Sequence, residues 1–119
     1  DPAILDSWAA DAYTFTSVAD TTVSYDVIAD GGTFNITFFQ TAAYQLSETI
    51  PGSSGTTTDA GEFAATAGLL WLIDGNTIDS GRYAVDGNAL VLTFEDAAWD
   101  FDDDGTDEPA TLELRLSST

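Results

Sequence analysis

The stretch Gly81–Thr93 has the sequence GRYAVDGNALVLT and gives the clearest indication of the fold class of this chain. Apolar residues alternate with small or polar ones on both sides of the turn Asp86-Gly87-Asn88. An Asp-Gly pair supplies the positive φ angles that tight hairpins require. Alternation with a period of two places one apolar face on a core and one polar face in water. The stretch therefore predicts two antiparallel strands joined by a tight turn.

The same alternation continues in both directions from this hairpin. Aromatic residues and threonine are abundant, as is typical of strands. No segment shows a helical period longer than two turns, and Pro2–Trp8 is expected to form a short helical turn at most. We predict eight or nine strands, at residues 8–17, 21–29, 33–40, 43–50, 61–67, 69–73, 77–85, 89–95 and 110–117.

Glycine-containing turns separate these strands at short intervals. The turns at 74–76 and 86–88 lie twelve residues apart, which is the length of one strand plus one turn and indicates consecutive hairpins. Even spacing without crossover helices favours an antiparallel up-and-down β-barrel or a closely related β-sandwich. We expect a single domain over residues 1–119, with one mobile loop at 51–60.

The charge balance excludes several classes of partner. The chain has 21 acidic residues, only two cationic ones and a net charge of −19. Such a charge repels nucleic acid and anionic membrane surfaces, and no apolar run is long enough to enter a bilayer directly. The sequence contains no Cys, Met or His, so any bound metal must be held by oxygen ligands. We expect an extracellular or cell-surface protein; no signal peptide is visible, which is consistent with the mature form of an exported protein.

The strongest local motif is the acidic run DFDDDGTDE, which begins at Asp100. Read as D-x-D-x-D-G-x-x-E, it places carboxylates at loop positions 1, 3, 5 and 9, glycine at position 6 and a backbone carbonyl at position 7. Alternating carboxylates can curl around one cation while glycine permits the sharp turn. The predicted metal ligands are Asp100, Asp102, Asp104, Thr106 and Glu108.

The predicted ion is Ca²⁺, because Mg²⁺ requires a more rigid octahedral shell. The pattern resembles EF-hand loops and, more closely, the D-x-D-x-D-G loops between strands of bacterial secreted repeat domains. Thr111 stands where an EF-hand has its bidentate glutamate, so we expect a further ligand from Glu95, Asp96 or Glu113. The alternative interpretation is a solvated acidic turn that binds no ion.

No constellation of catalytic residues stands out. A serine-based triad requires a base, and the chain has neither His nor Lys. Some pair among the 21 acids will have glycosidase spacing by chance, and nothing distinguishes one. We therefore expect that the protein is not an enzyme.

The tryptophans and tyrosines have two possible roles. They can form a stacking platform for sugars, but core positions are the favoured interpretation. Arg82 and Arg115 are expected to pair with neighbouring acids. The sequon at Asn35 lies in a predicted strand, where a structural asparagine is favoured over a glycosylated one.

Three features together resemble the lipocalin-like domains of secreted bacterial proteins and lipoproteins. They are Trp8 at the start of the first strand, the segment Gly81–Leu90, and the run Leu90–Thr93. Asp6 stands where true lipocalins have the glycine of a G-x-W motif. The resemblance implies a small up-and-down barrel in an extracytoplasmic location. The bias to Asp and the lack of Lys also resemble proteins of salt-loving or marine bacteria.

Three function classes follow from these observations. The leading hypothesis is an extracellular or cell-surface structural module, stabilised by calcium, that assembles with copies of itself as a filament or surface layer, or docks to a cell-surface protein. The alternatives are a lipocalin-like carrier of a small apolar ligand and a carbohydrate-binding module. A carrier needs an internal pocket of several hundred Å³. A sugar module needs exposed coplanar aromatic rings, and an assembly subunit needs large contacts between copies.

Overall fold

The computed structural model describes residues 2–52, 55–75 and 77–119. Within these residues the chain forms a short N-terminal 3-10 helix, Pro2–Ile4, and nine strands. The strands are β1 (Ser7–Ser17), β2 (Ser24–Asp26), β3 (Thr33–Phe38), β4 (Ala43–Thr49), β5 (Thr57–Thr66), β6 (Leu69–Asp74), β7 (Thr77–Asp86), β8 (Ala89–Trp99) and β9 (Glu108–Ser118). The all-β prediction and the helical turn near the N-terminus are confirmed.

Eight of these strands close into an antiparallel up-and-down barrel. Strands β3 to β9 pair each with the next along the chain, and β1 pairs with β3 through Ser7–Ala9. The barrel closes where β1 pairs with β9, from Trp8 opposite Ser118 to Ser17 opposite Ala110. The predicted barrel is therefore confirmed, and the hairpin that predicted it forms β7 and β8.

The predicted strand at 21–29 is mostly wrong. The structure has only β2, three residues long, which lies outside the barrel against Thr14–Thr16 of β1. The cause is the Asp26 side chain, whose Oδ1 accepts the backbone N–H groups of Tyr13 and Ile28, both at 3.0 Å. The carboxylate thus replaces the next ladder bond and turns the chain.

Two further boundaries differ from the prediction. The predicted mobile loop at 51–60 is partly a strand, because β5 begins at Thr57 and pairs with β4 from Glu48 onward; Ser53 and Ser54 lie outside the described residues. Strand β8 continues past residue 95 to Trp99. A register irregularity between Phe94 and Ala97 allows it to remain paired with β9.

The two ends of the barrel differ. At one end, called here the closed end, Ile4 and Trp8 are almost fully buried, and the Trp8 Nε1–H donates to the Ile4 carbonyl at 3.0 Å. The other end, called the acidic end, carries the β8–β9 connection with its run of aspartates. Buried apolar side chains from β1 and from β3 to β9 fill the interior between them. The closed end is therefore packed, and any ligand must enter elsewhere.

Candidate functional site

A cavity of about 450 Å³ lies in the barrel towards the acidic end. Buried Leu72 and Leu114 contribute to its lining, together with aromatic rings and acidic side chains. The apolar side chains in the lining include Phe34, Leu46, Leu72, Phe94, Leu112 and Leu114, and the acidic ones are Glu48, Asp59, Asp79 and Asp96. This volume lies within the range of small-molecule sites, about 300–1,000 Å³.

The cavity opens where β7 and β8 separate. Their ladder extends from the hairpin turn only as far as Arg82 opposite Thr93. Beyond that pair, Ile78 and Asp79 of β7 and Ala97 of β8 face the same cavity. The irregularity in β8 keeps that strand paired with β9, which directs it away from β7. The exposed side chains of Ile78 and Asp79 border the cavity on this side, which is called here its mouth.

Three of the lining acids occupy inward-facing strand positions. Because side chains alternate between faces, residues two or four apart on a strand share a face. Each of these acids is spaced in this way from a buried or half-buried core residue. The pairs are Leu46 and Glu48 on β4, Asp59 and Phe63 on β5, and Asp79 and Tyr83 on β7. Sequence reasoning missed this feature. Glu48 and Asp79 lie on the apolar register of predicted strands, which was a usable signal, whereas Asp59 falls in the predicted loop at 51–60.

Tyrosine hydroxyl groups hold two of these carboxylates. The Tyr13 hydroxyl donates to Glu48 Oε2 at 2.9 Å. Burial, and then the Glu48 charge, raise the pKa of Tyr13 well above its ordinary value, so it stays a neutral donor. Burial also raises the pKa of Tyr44 to about 12, with further contributions from the charges of Asp59, Asp74 and Asp79 and a hydrogen bond to Asp59.

Asp74, at the end of β6, adds to the acidity beside the cavity. A side-chain hydrogen bond with Asp59, and then the charge of Asp59, raise the pKa of Asp74 above its ordinary value. Like charges this close disfavour ionisation of one another. A positive charge placed beside them would therefore be stabilised.

The second candidate site is the predicted acidic loop, which connects β8 to β9 as expected. Asp100, Asp102, Asp104 and Glu108 each place one carboxylate oxygen within 4.8 Å of the others. This cluster can hold a metal ion. The Thr106 N–H donates to Asp104 Oδ1 at 2.8 Å. The backbone carbonyl of Thr106 remains a predicted metal ligand.

Backbone donors and neighbouring acids have opposite effects within this loop. Desolvation raises the pKa of Asp100, but the N–H groups of Gly105 and Asp104 outweigh it and lower this pKa below its ordinary value. A side-chain hydrogen bond with Glu108, followed by desolvation, raises the pKa of Asp102. Asp102 therefore carries the unfavourable charge of this cluster, which a cation would neutralise.

The three residues expected to supply a further calcium ligand are not part of this cluster. Glu95 pairs with Arg82, and Glu113 pairs with Arg115 at 2.7 Å. These ion pairs confirm the prediction for both arginines. Asp96 lines the cavity instead.

The aromatic residues lie mainly in the core, as predicted. Trp8, Tyr13, Tyr44 and Tyr83 are buried. Trp99 stacks on Phe15 with ring centroids 4.7 Å apart and on Tyr25 at 5.0 Å. This stack holds the end of β8 against β1 and β2.

Comparisons with known proteins give little information on identity. No family model matches the chain, and no curated protein matches it. The chain is similar in structure to secretory abundant heat soluble protein 4 from Ramazzottius varieornatus, at 12% sequence identity and a TM-score of 0.45, over 100% of this chain and 96% of that one. Similarity at this level does not indicate a shared function.

No helix among the described residues is long and apolar enough to cross a membrane.

Proposed function

We propose that this barrel is a non-enzymatic binding protein for a small apolar molecule. The observation that carries the proposal is the cavity of about 450 Å³ inside the barrel, which side chains from all eight barrel strands line. Apolar side chains from several strands converge on it, and burying apolar ligand surface there gains about 25 cal/mol per Å² before the costs of association.

The cavity is well placed for exchange of a ligand. Leu72 and Leu114 give it a rigid wall because each is packed in the core on strands paired on both sides. Ile78, at the mouth, is 64% exposed. A ligand can thus reach the apolar wall without unfolding a strand.

The test is binding of a neutral apolar probe, 1-naphthylmethanol, followed by isothermal calorimetry and by amide shifts in NMR spectra. Ala97 is half-buried and lines the cavity, so Ala97→Phe should fill it. Ala84 is exposed on β7, so Ala84→Phe adds the same ring outside the barrel. We expect Ala97→Phe to weaken probe binding by about tenfold or more, with Ala84→Phe unchanged. Failure of the wild-type protein to bind, or equal binding by both variants, would overturn the proposal.

We further propose, as a second function, that the loop from Asp100 to Glu108 binds Ca²⁺ and thereby stabilises an extracellular module that assembles with its own copies. Four converging carboxylates support it, because their mutual repulsion opposes this loop conformation until a cation neutralises it. Neutralising part of a net charge of −19 also lowers the repulsion between copies.

The loop contains an aspartate outside the cluster that serves as a matched control for substitutions in the calcium site. Asp103 lies within the loop but outside the cluster, and its φ of +58° suits asparagine. We expect calcium to raise the melting temperature of the wild-type and Asp103→Asn proteins but not of Asp102→Asn. Light scattering on a size-exclusion column, in calcium and then in chelator, tests assembly. A monomer under both conditions would refute assembly, and equal responses of the two variants would refute the site.

A further inference from the structure

We infer that the ligand of the barrel is an organic cation, in which an ammonium group is attached to an apolar body. This inference rests on the proposed binding function and specifies its ligand class. The ammonium group would lie among Glu48, Asp59 and Asp79, and the apolar body would lie against Phe94 and Leu114.

The two sides of the cavity differ in chemistry. The acidic side is formed by β4, β5 and β7, which contribute Glu48, Asp59 and Asp79 at inward-facing positions. The opposite side is formed by β8 and β9, where Phe94, Leu112 and Leu114 contribute apolar surface and Asp96 of β8 adds one exposed carboxylate. An amphipathic ligand matches both sides at once, with its charge on one and its hydrocarbon on the other.

The protein itself does not neutralise these acids. Arg82 and Arg115, the only cationic side chains, do not line the cavity, and each pairs with a glutamate at a solvent-exposed site. The Tyr13 hydroxyl gives Glu48 one hydrogen bond, which orients the carboxylate without removing its charge. Glu48 and Asp59 are half-buried, Asp79 is exposed, and carboxylates in a cavity without a counter-ion favour a positively charged partner.

A metal ion fits this cavity poorly. Among the described residues, the group of acids whose oxygens converge closely enough to chelate an ion is the β8–β9 loop, not the cavity. The cavity carboxylates are instead distributed over four strands, β4, β5, β7 and β8. A larger cation with several N–H donors can contact dispersed carboxylates, and the rings of Tyr13 and Phe34 add favourable cation–π surface.

The same charges exclude anions. A fatty-acid carboxylate entering the mouth would meet Asp79 and Asp96 from opposite strands. Both carboxylates are solvent-exposed, so salt screens this repulsion in part, but it still disfavours an anionic ligand. Ligands with an apolar body should therefore bind in the order cation, neutral molecule, anion.

The experiment compares three probes that share one ring system: 1-naphthylmethylamine, 1-naphthylmethanol and 1-naphthoate. Calorimetry at pH 7 in 150 mM salt measures each affinity for the full chain. We expect the amine to bind about tenfold more tightly than the alcohol, and the carboxylate to bind more weakly than both. Ala97→Phe should weaken binding of the amine as it does that of the alcohol.

Charge-matched variants separate the cavity acids from the overall charge. Glu48→Gln with Asp79→Asn removes two charges inside the cavity, whereas Glu62→Gln with Asp86→Asn removes two exposed charges outside it. We expect the first pair to abolish the preference for the amine and the second pair to retain it. Equal loss in both pairs would overturn the inference. If the alcohol binds as tightly as the amine, the binding function stands and the charge preference is wrong; if no probe binds, the binding function itself fails.

Discussion

Replacing Gly81 with alanine tests whether β7 lies as close to the backbone of β8 at this position as the structure shows. A Cβ atom added at Gly81 would lie 2.5 Å from the Thr93 carbonyl oxygen and 2.7 Å from Cδ1 of Phe94. Ordinary contact begins at 3.4 Å, so the carbonyl must retreat by about 0.9 Å. That carbonyl lies beside the last ladder pair between these strands, Arg82 opposite Thr93. The substitution should therefore open the ladder further.

The size of the effect follows from overpacking. Extra methyl groups in a packed site destabilise by about 1–3 kcal/mol. For a chain of 119 residues, 1 kcal/mol corresponds to about 4 °C, so the melting temperature should fall by about 4–12 °C. At an ordinary strand position a Gly→Ala substitution would instead raise the melting temperature, because glycine is less favourable in a strand than alanine by about 0.5–1 kcal/mol.

The assay is thermal and urea unfolding followed by circular dichroism, with the Gly81→Ala protein compared with wild type. Adding Phe94→Leu to Gly81→Ala removes the ring contact but leaves the Thr93 carbonyl in place, so stability should recover only in part. A Gly81→Ala protein that melts at or above the wild-type temperature would refute the reasoning. Full recovery in the double variant would show that the ring, not the backbone, limits the approach.

Three further predictions concern other parts of the barrel. Ala67 has a φ of +52° in the β5–β6 turn, so Ala67→Gly should raise the unfolding free energy by about 1 kcal/mol, measured by urea denaturation. The pKa of Tyr44 is raised to about 12, so the stability that its protonated hydroxyl contributes is present below pH 10 and is lost as the pH rises towards 12. Titration of tyrosinate absorbance should show one group fewer at high pH in Tyr44→Phe than in the wild-type protein. The raised pKa of Asp102 means that the folded state binds its proton more tightly than the unfolded chain, so in chelator stability should increase as the pH falls through this pKa. Asp102→Asn should remove that increase in urea midpoint, and unchanged pH dependence would contradict the role of Glu108 as its partner.

Local features of the chain were predictable. The hairpin around Gly87, whose φ is +61°, follows from one Asp-Gly pair and the alternation on either side. The convergence of Asp100, Asp102 and Asp104 also follows from local spacing, because one tight turn brings them together. Contacts between residues that are close in sequence do not depend on the fold of the remaining chain.

The extent of each strand was less predictable. The serine- and threonine-rich composition near Thr57 indicated a loop, yet β4 provides a partner for these residues and extends the strand. Conversely, apolar alternation around Tyr25 indicated a long strand, yet one carboxylate, that of Asp26, ends it by bonding to β1. In both cases a tertiary hydrogen bond outweighs the local preference.

The sequence by itself determined the strand-and-turn character of this protein, its acidity and the loop at Asp100, because each depends on neighbouring residues or on composition. Only the tertiary structure decided that Glu48, Asp59 and Asp79 face one cavity. Their meeting depends on the register of several ladders, on closure of β9 against β1 and on the point at which β7 and β8 separate. These long-range pairings are set by the packing of the whole barrel, so no local pattern specifies that the three acids meet at one cavity.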